Sequence, residues 1–392
     1  MGQLASLLSN NVDLLHRIGK GGFACVHTIA NLKSRPPMNF VKNAWYVAGW
    51  STDFDDALTP ITIVGEHLVM FRTSDGDVVA LEDRCPHRLL PLSKGKRIGD
   101  TVQCGYHGMT FNSAGACVRV PGQTNLPKSA YVEAFPVCEK HGVVWVWTGD
   151  AEKADPADVF DMPEFSDPNW HAHHGDKLHL NSHYLNVTEN LVDPAHVSFV
   201  HPTTLGNAAS ENVPVHIATE GEQIVAWRWI RDAAPIGFFQ KFGDFEGNVD
   251  RWHYYYLHMP STAVIDFGSA DVSLNLAEED RDQGVRIFAI HFVTPVTEQY
   301  TIDHWMHLRN TAVGDDDASA LMDGMFRIAF AEDQAILEAV QASENRPQKR
   351  KPIRIAIDKA PNVYRRRIRD LVEAEITDDT GEAEESSFTY HD

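Results

Sequence analysis

The chain has 392 residues, enough for two domains with complete cores. Its net charge of −21 would be repelled by a phosphate backbone, which argues against nucleic acid as a partner. No run approaches the roughly 18 apolar residues that a membrane span requires, and the first residues lack the basic, apolar, small-residue order of a secretory signal. Five cysteines (25, 85, 104, 117 and 138) do not form a disulfide framework. A reducing, cytoplasmic setting is expected, where paired Cys and His bind metal.

Residues 1–37 read as an N-terminal extension, because Met38 opens "MNFVKNAWYVAGW", which has the character of a domain start. Two short matches fall in it. "MGQLAS" fits an N-myristoylation pattern, but nothing polybasic follows. "RIGKGGFACV" resembles a kinase glycine-rich loop and "DFG" recurs at 266–268, yet the chain contains no H-R-D tripeptide. Both are chance.

Residues 38–155 show short strands broken by turns. "ITIVGEHLVMFRTSDGDVVALE" gives three apolar runs, with "SDGD" as a hairpin signal. "MTFNSAGACVRV" predicts a further hairpin and "GVVWVWTGD" a buried strand, so the first domain is a small antiparallel β domain. The polar stretch 150–170, with its three prolines, reads as a linker. The second domain, 156–372, carries the strand patterns "QIVAWRWI", "RWHYYYLHM" and "GVRIFAIHFVTP" and one long helical pattern near 319–342. An α+β domain follows, an antiparallel sheet with a helix packed on it. Residues 373–392 are rich in Asp and Glu without Lys or Arg, and predict a disordered acidic tail.

The first domain holds the most specific motif, "RCPHRLLPLSKGKRIGDTVQCGYHG" (84–108). Each half carries one Cys and one His, Cys85-x-His87 and Cys104-x-x-His107. A structural zinc site would pair its cysteines in one half. Two thiolates plus two imidazoles is instead the Rieske ligand set, with two Cys on one iron and two His on the other. Gly105, Gly108 and Pro86 allow two tight loop tips that neighbouring strands bring together. Arg84, Arg88, Lys94, Lys96 and Arg97 crowd these tips, a basic island that either steers an acidic electron donor or is a solvated loop or subunit contact.

The second domain offers His196 and His201 in "NVTENLVDPAHVSFVHPTTLG". O₂ chemistry at Fe(II) uses two His and a carboxylate on one face of the metal. Residues five apart diverge by about 140° on a regular helix, but His201 precedes Pro202 and is pushed out of helical geometry, free to turn back toward His196. Asp193-Pro194 reads as an N-cap and a first-turn proline. In "MFRIAFAEDQAILEAV" the carboxylate is Glu332 or Asp333. Asp333 falls on the stripe Met322, Phe326, Ala329, Ile336, Val340, where an unpaired acid would be costly. Glu332 falls beside it, toward solvent. His291, within "IFAIHFV", shares a strand face with Ala289 and Val293 and is a candidate hydrogen-bond donor to substrate. The run Trp252 and Tyr254–Tyr256 reads as sheet packing.

"CPHR…CGYHGMTF" resembles the Rieske domain of the Rieske non-haem iron oxygenases. "NAWYVAGW", "VVALEDRCPHR", "ENLVDPAHVSFVHPTTLG" and "FAEDQAILEA" resemble the branch that includes vanillate O-demethylase, toluenesulfonate methyl-monooxygenase and dicamba demethylase, over residues 38–375. The resemblance implies a Rieske domain followed by a helix-grip catalytic domain. It also implies a [2Fe–2S] cluster on Cys85, His87, Cys104 and His107, and a mononuclear iron on His196, His201 and Asp333, with Asn190 supporting the site. Asp193 is implied to bridge an iron-ligand histidine to a cluster-ligand histidine of the neighbouring subunit in a homotrimer. Electrons would come from NAD(P)H through a separate reductase or ferredoxin, since no G-x-G-x-x-G motif is present here. The implied reaction is mono-oxygenation, by O-demethylation or methyl hydroxylation, of a small aromatic acid. Ring dihydroxylation is the alternative within the class. A Rieske electron carrier without working iron is the alternative outside it.

Overall fold

The computed structural model describes residues 40–221 and 223–380; the expected extension and its two short motif matches lie outside the described residues. The "DFG" at 266–268 lies inside the strand Thr262–Asp271, a setting unlike a kinase activation loop.

Three small antiparallel sheets precede residue 148, and two of them build the arms of the Cys/His loops. One joins Thr59–Ile63, Glu66–Arg72, Val78–Glu82 and Ala134–Phe135, and the next Lys96–Ile98, Thr101–Gln103, Thr110–Phe111 and Cys117–Arg119. The third pairs Trp45–Trp50 and Val137–Lys140 with the fully buried strand Val143–Trp147. Ile63 and Glu66 pair across a two-residue turn in which Val64 has φ 47° and Gly65 φ 83°. A β-branched residue in the left-handed region is strained. Its N–H donates to Pro295 O at 2.7 Å and that of Gly65 to Val296 O at 3.1 Å, so the strained turn is bonded to the sheet that follows.

That sheet has seven antiparallel strands in the order His171–Leu180, Tyr300–Arg309, Val285–Thr297, Thr262–Asp271, Val249–His258, Gln223–Ala233, His216–Glu220. Alternation along the strands sends two sets of side chains to opposite faces. Phe288, Ile290, Phe292, Met306 and Leu308 pack on one face with Trp45, Val47, Trp145 and Trp147, so the small sheet and the large one share a core. Trp305 and Phe267 point to the other face and meet Phe326 of the long helix Asp316–Glu344. The expected α+β class, small β sheets followed by a sheet with a helix packed on it, describes the molecule.

Asp315 starts the long helix by accepting the Ala318 N–H at 3.0 Å, with Asp316 and Asp317 favourably placed against the helix dipole. Its buried row is Met322, Phe326, Ala329, Phe330, Leu337 and Gln341. Ile336 and Val340, expected on that row, are 48% and 42% exposed. Two rows pass through position 333, and the helix buries the one through Leu337. The terminal helix Lys359–Thr380 buries Tyr364 and Ile368, one turn apart. It takes in residues 373–380 of the stretch expected as a disordered acidic tail. Glu375 explains the correction: its carboxylate accepts the N–H groups of Lys42 at 2.9 Å and Asn43 at 2.7 Å. Arg365 of this helix pairs with Glu189 and donates to Asn186 Oδ1 at 2.8 Å, fixing the Tyr184–Asn190 helix beneath the site. No helix of the described residues is long and apolar enough to cross a membrane.

Candidate metal centres and substrate pocket

Two loops of matching shape carry the Cys/His motif. Cys85 N–H donates to Leu90 O and Leu89 N–H to Cys85 O; in the second loop Cys104 N–H donates to Met109 O and Gly108 N–H to Cys104 O. Leu89 and Gly108, each four residues past its cysteine, both have positive φ, 60° and 73°. A Cβ on Gly105 would come within 2.8 Å of Lys94 O, so the second tip is pressed against the chain leading into it. The thiols are buried, at 2% and 3% exposure, while His87 and His107 are exposed with ring centroids 4.6 Å apart. Burial pushes the Cys85 thiol up, against the backbone N–H groups of His87 and Arg88 that point at its sulfur, with the Cys104 thiol alongside. Sulfur inside and imidazole outside is the polarity that a cluster with one thiolate-held and one imidazole-held iron requires. Of the basic island, Arg97 folds back on Gly99 O and Asp100 and Arg84 pairs with Glu82 at 3.6 Å, leaving Arg88, Lys94 and Lys96 as exposed cations.

The second cluster forms where the chain leaves the Tyr184–Asn190 helix. His196 N-caps the one-turn helix Val197–Val200 and His201 ends it with φ −116° and ψ 46°. The helix starts later than Asp193-Pro194 predicts. Asp193 instead closes an Asx turn, its Oδ1 accepting the Ala195 N–H at 2.8 Å, because the proline begins a turn before the helix. Ligating atoms of His196, His201 and Asp333 lie within 4.8 Å of one another. His196 Nε2 is 3.5 Å from Asp333 Oδ1, and His201 Nε2 is 3.1 Å from Oδ2. Asn190 Nδ2 donates to Asp333 Oδ1 at 3.0 Å. Glu332, expected at the solvent edge, reaches His201 Nδ1 at 2.8 Å and accepts from Thr204 Oγ1 at 3.3 Å. A carboxylate on the far nitrogen of an imidazole orients the ring and raises its basicity.

The electrostatics suit a cation. Burial works to raise the Asp333 carboxyl, but the His201 hydrogen bond and the charges of His196 and His201 hold it below the usual range. Burial lowers His196 against the pull of Asp333 and Asp193, which favours the neutral, ligating imidazole. His196 Nδ1 is buried with no hydrogen-bond partner among the described residues, 3.9 Å from Asp193 Oδ2. A second triad joins Asp323, earlier on the same helix, to His173 and His307 of the strands His171–Leu180 and Tyr300–Arg309, with both His–Asp distances at 3.2 Å. There the Arg327 guanidinium stands 4.0 Å from Asp323 and supplies a cation. Among the described residues Asp333 has no Lys or Arg within ion-pair distance. The His196 triad, with uncompensated charge and an open side, fits a divalent iron.

That open side is a pocket. His196, His201 and Asp333 line one wall; Leu205, Ile265, Phe267, Ala289, Phe326 and Phe330 make the rest largely apolar. His291 lies in the lining, 1% exposed, with Nδ1 2.7 Å from Asp303 Oδ2 and its ring edge-on to Phe330. The Nδ1–H donation to Asp303 leaves Nε2 for a ligand. His253 and Tyr255 also line the pocket; His253 was not singled out from the sequence, and Tyr255, expected to pack within the sheet, is a correction. Strand alternation separates Tyr255 from Trp252, Tyr254 and Tyr256, which pack on the opposite face. The usable signal is the odd-numbered set 251, 253, 255.

Comparison with known proteins agrees with this arrangement. Residues 44–136 match the Rieske [2Fe-2S] domain, and residues 180–374 the vanillate O-demethylase oxygenase C-terminal domain. The chain is 37% identical over 343 residues to a putative toluene-4-sulfonate monooxygenase system iron-sulfur subunit of Comamonas testosteroni, covering 86% of this chain and 98% of the relative. It is 30% identical over 341 residues to a vanillate O-demethylase oxygenase subunit of a Pseudomonas species, covering 85% and 95%. Dicamba monooxygenase bound to 3,6-dichlorosalicylic acid superposes with a TM-score of 0.77 at 28% identity, over 86% of this chain and 99% of that one. The electron-carrier alternative falls with these matches, since both halves of an oxygenase are present. The chain belongs to the Rieske non-haem iron oxygenases, as an oxygenase component that works with a [2Fe–2S] cluster, a mononuclear iron and electrons from a separate donor protein.

Proposed function

We propose that this oxygenase removes a methyl group from, or hydroxylates a methyl group on, a small aromatic acid. The observation that carries the reading is the His196–His201–Asp333 triad opening into a largely apolar pocket lined by Phe267, Phe326 and Phe330, the kind of lining that suits a substituted benzene ring. Cys85, His87, Cys104 and His107 would hold the cluster, and His196, His201 and Asp333 the iron. Bound together, these groups supply single electrons and activate O₂. The chain's own part is to orient and to exclude water. Phe326 and Phe330 hold the ring in a dry site, His291 offers Nε2 to a polar substituent, and Asn190 and Glu332 fix Asp333 and His201. For a methoxy substrate, ROCH₃, O₂, NADH and H⁺ give ROH, formaldehyde, water and NAD⁺. We take the active form to be a homotrimer, in which a neighbour's cluster faces Asp193.

The test is reductase-dependent O₂ uptake with NADH across methoxybenzoates and methylated aryl sulfonates, with formaldehyde measured in parallel. O₂ uptake matched by formaldehyde on a methoxybenzoate supports demethylation. A diol without formaldehyde would move the chemistry to ring dihydroxylation. Two variants probe the centres. His107→Cys replaces a neutral ligand by an anionic one, so the cluster potential should fall on the order of a few hundred mV. An unchanged potential and spectrum would remove His107 from the ligand set. Glu332→Ala leaves the iron ligands in place but frees the His201 ring, and should weaken iron binding about 10–100-fold. Wild-type affinity in a metal titration would reduce Glu332 to a surface acid.

A further inference from the structure

Two arginines are buried on the pocket face of the large sheet with little to neutralise them. Arg228 and Arg251 are each 1% exposed. Arg228 pairs across strands with His253 and Arg251 with Ile230, so the two guanidinium groups lie on neighbouring strands, on the face that also carries Tyr255. Arg228 Nε donates to His253 Nδ1 at 3.3 Å and Nη1 to Ser210 O at 2.8 Å; Arg251 Nη2 donates to Asn207 Oδ1 at 2.8 Å. Among the described residues, buried Arg228 Nη2, Arg251 Nε and Arg251 Nη1 have no hydrogen-bond partner. Among the described residues no carboxylate stands within ion-pair distance of either group; the acid that acts on Arg228 from farther off is Asp193. Burial, and then the charge of Arg228, pull the Arg251 guanidinium down to about 10, which still leaves it charged at neutral pH. Two adjacent buried cations with idle donors are unfavourable unless an anion joins them.

Neither arginine lines the pocket; His253 stands between the pair and the cavity. Accepting at Nδ1 from Arg228 places its proton on Nε2, and the ring lines the cavity. Burial and the two arginine charges hold His253 well below its usual range, so it stays a neutral N–H donor. An N–H aimed into the cavity with two buried positive charges behind it matches a carboxylate or sulfonate, whose oxygens accept the hydrogen bond and whose charge the arginines balance. We infer that the Nε2–H of His253 takes the anionic group of the aromatic substrate, with Arg228 and Arg251 behind it supplying the charge that favours an anion. The inference rests on the proposed reading of the pocket and names which residues select an acid over a neutral ring.

The experiment is calorimetric titration of the cluster- and iron-loaded protein with four probes: 4-methoxybenzoate, toluene-4-sulfonate, and their neutral counterparts 4-methoxybenzamide and toluene-4-sulfonamide. At least one acid should bind tenfold or more tightly than its amide. Arg228→Met and Arg251→Met should erase that preference while binding the amide as wild type does, and Arg228→Lys should keep part of it. If the methionine variants do not fold, the wild-type comparison decides alone, because acid and amide binding equally well would overturn the subsite. So would acid binding undiminished in both folded variants; the arginines would then only anchor the 207–210 loop. Turnover separates the two proposals. Oxygenation of an acid with arginine-independent binding sinks the subsite and leaves the reaction standing. Arginine-dependent binding of acids that never consume O₂ does the reverse.

Discussion

Asp333→Ala is expected to lower the iron content from about three to about two atoms per chain and to abolish NADH-driven O₂ uptake, with the cluster spectrum unchanged. Asp333 is the carboxylate that meets both histidines, at 3.5 and 3.1 Å. Alanine leaves His201 Nε2 and Asn190 Nδ2 facing an apolar gap, a cost of about 1–3 kcal/mol to the fold that a thermal melt would register. The helix itself should survive, since alanine is its best former and Phe326, Phe330 and Leu337 stay in place. Asp323→Ala supplies the control. It breaks the other His–His–Asp triad, whose carboxylate lies on the same helix and whose charge Arg327 already meets, and should keep the third iron and the turnover. If Asp323→Ala lost that iron and Asp333→Ala kept it, the assignment of the two triads would be reversed.

The sequence made the two halves of this machinery legible to different degrees. Cys85, His87, Cys104 and His107 are readable because each pair sits within three residues on one loop, and the ligand chemistry follows from residue type. His196 and His201 needed one further step, the backbone effect of Pro202, and the φ of −116° at His201 agrees with it. Asp333 needed helical phase, and the stripe drawn through Ile336 and Val340 runs one residue off the buried row through Leu337 and Gln341. Both rows pass through 333, so the choice of Asp333 does not depend on which of them is buried. Glu332 shows the limit of that reasoning: phase says which way a side chain leaves the helix, but not that His201 and Thr204 come to meet it. Arg228 and His253 lay beyond reach, because their contact depends on the pairing of two strands 25 residues apart. The terminal helix was hidden by composition, since its acidic surface outweighs the few residues, Tyr364 and Ile368, that bury it.

Asp193→Asn should keep the fold, the cluster and the iron, yet slow turnover by about 100-fold or more, a larger loss than most outer partners of a metal site produce. The structural part of its role survives the change, because an asparagine Oδ1 accepts the Ala195 N–H as well as aspartate does. What goes is the charge beside His196, whose buried Nδ1 has no other partner among the described residues and sits 3.9 Å from Asp193 Oδ2. Neutral asparagine neither balances an electron-accepting iron site nor links its imidazole to a second histidine. Turnover close to wild type would leave Asp193 a turn-former and nothing more. The proposal that the second histidine belongs to a neighbouring subunit has its own test. Subunits carrying Asp193→Asn have a sound cluster, and subunits carrying Cys85→Ser have a sound Asp193 and iron but no cluster. Alone, each should be inactive. Unfolded to monomers, mixed and reassembled, they should regain part of the wild-type rate, because a good cluster then faces a good Asp193 across the interface. Recovery requires electrons to cross between chains. A mixture as inactive as its components would place the cluster and the iron it serves within one subunit.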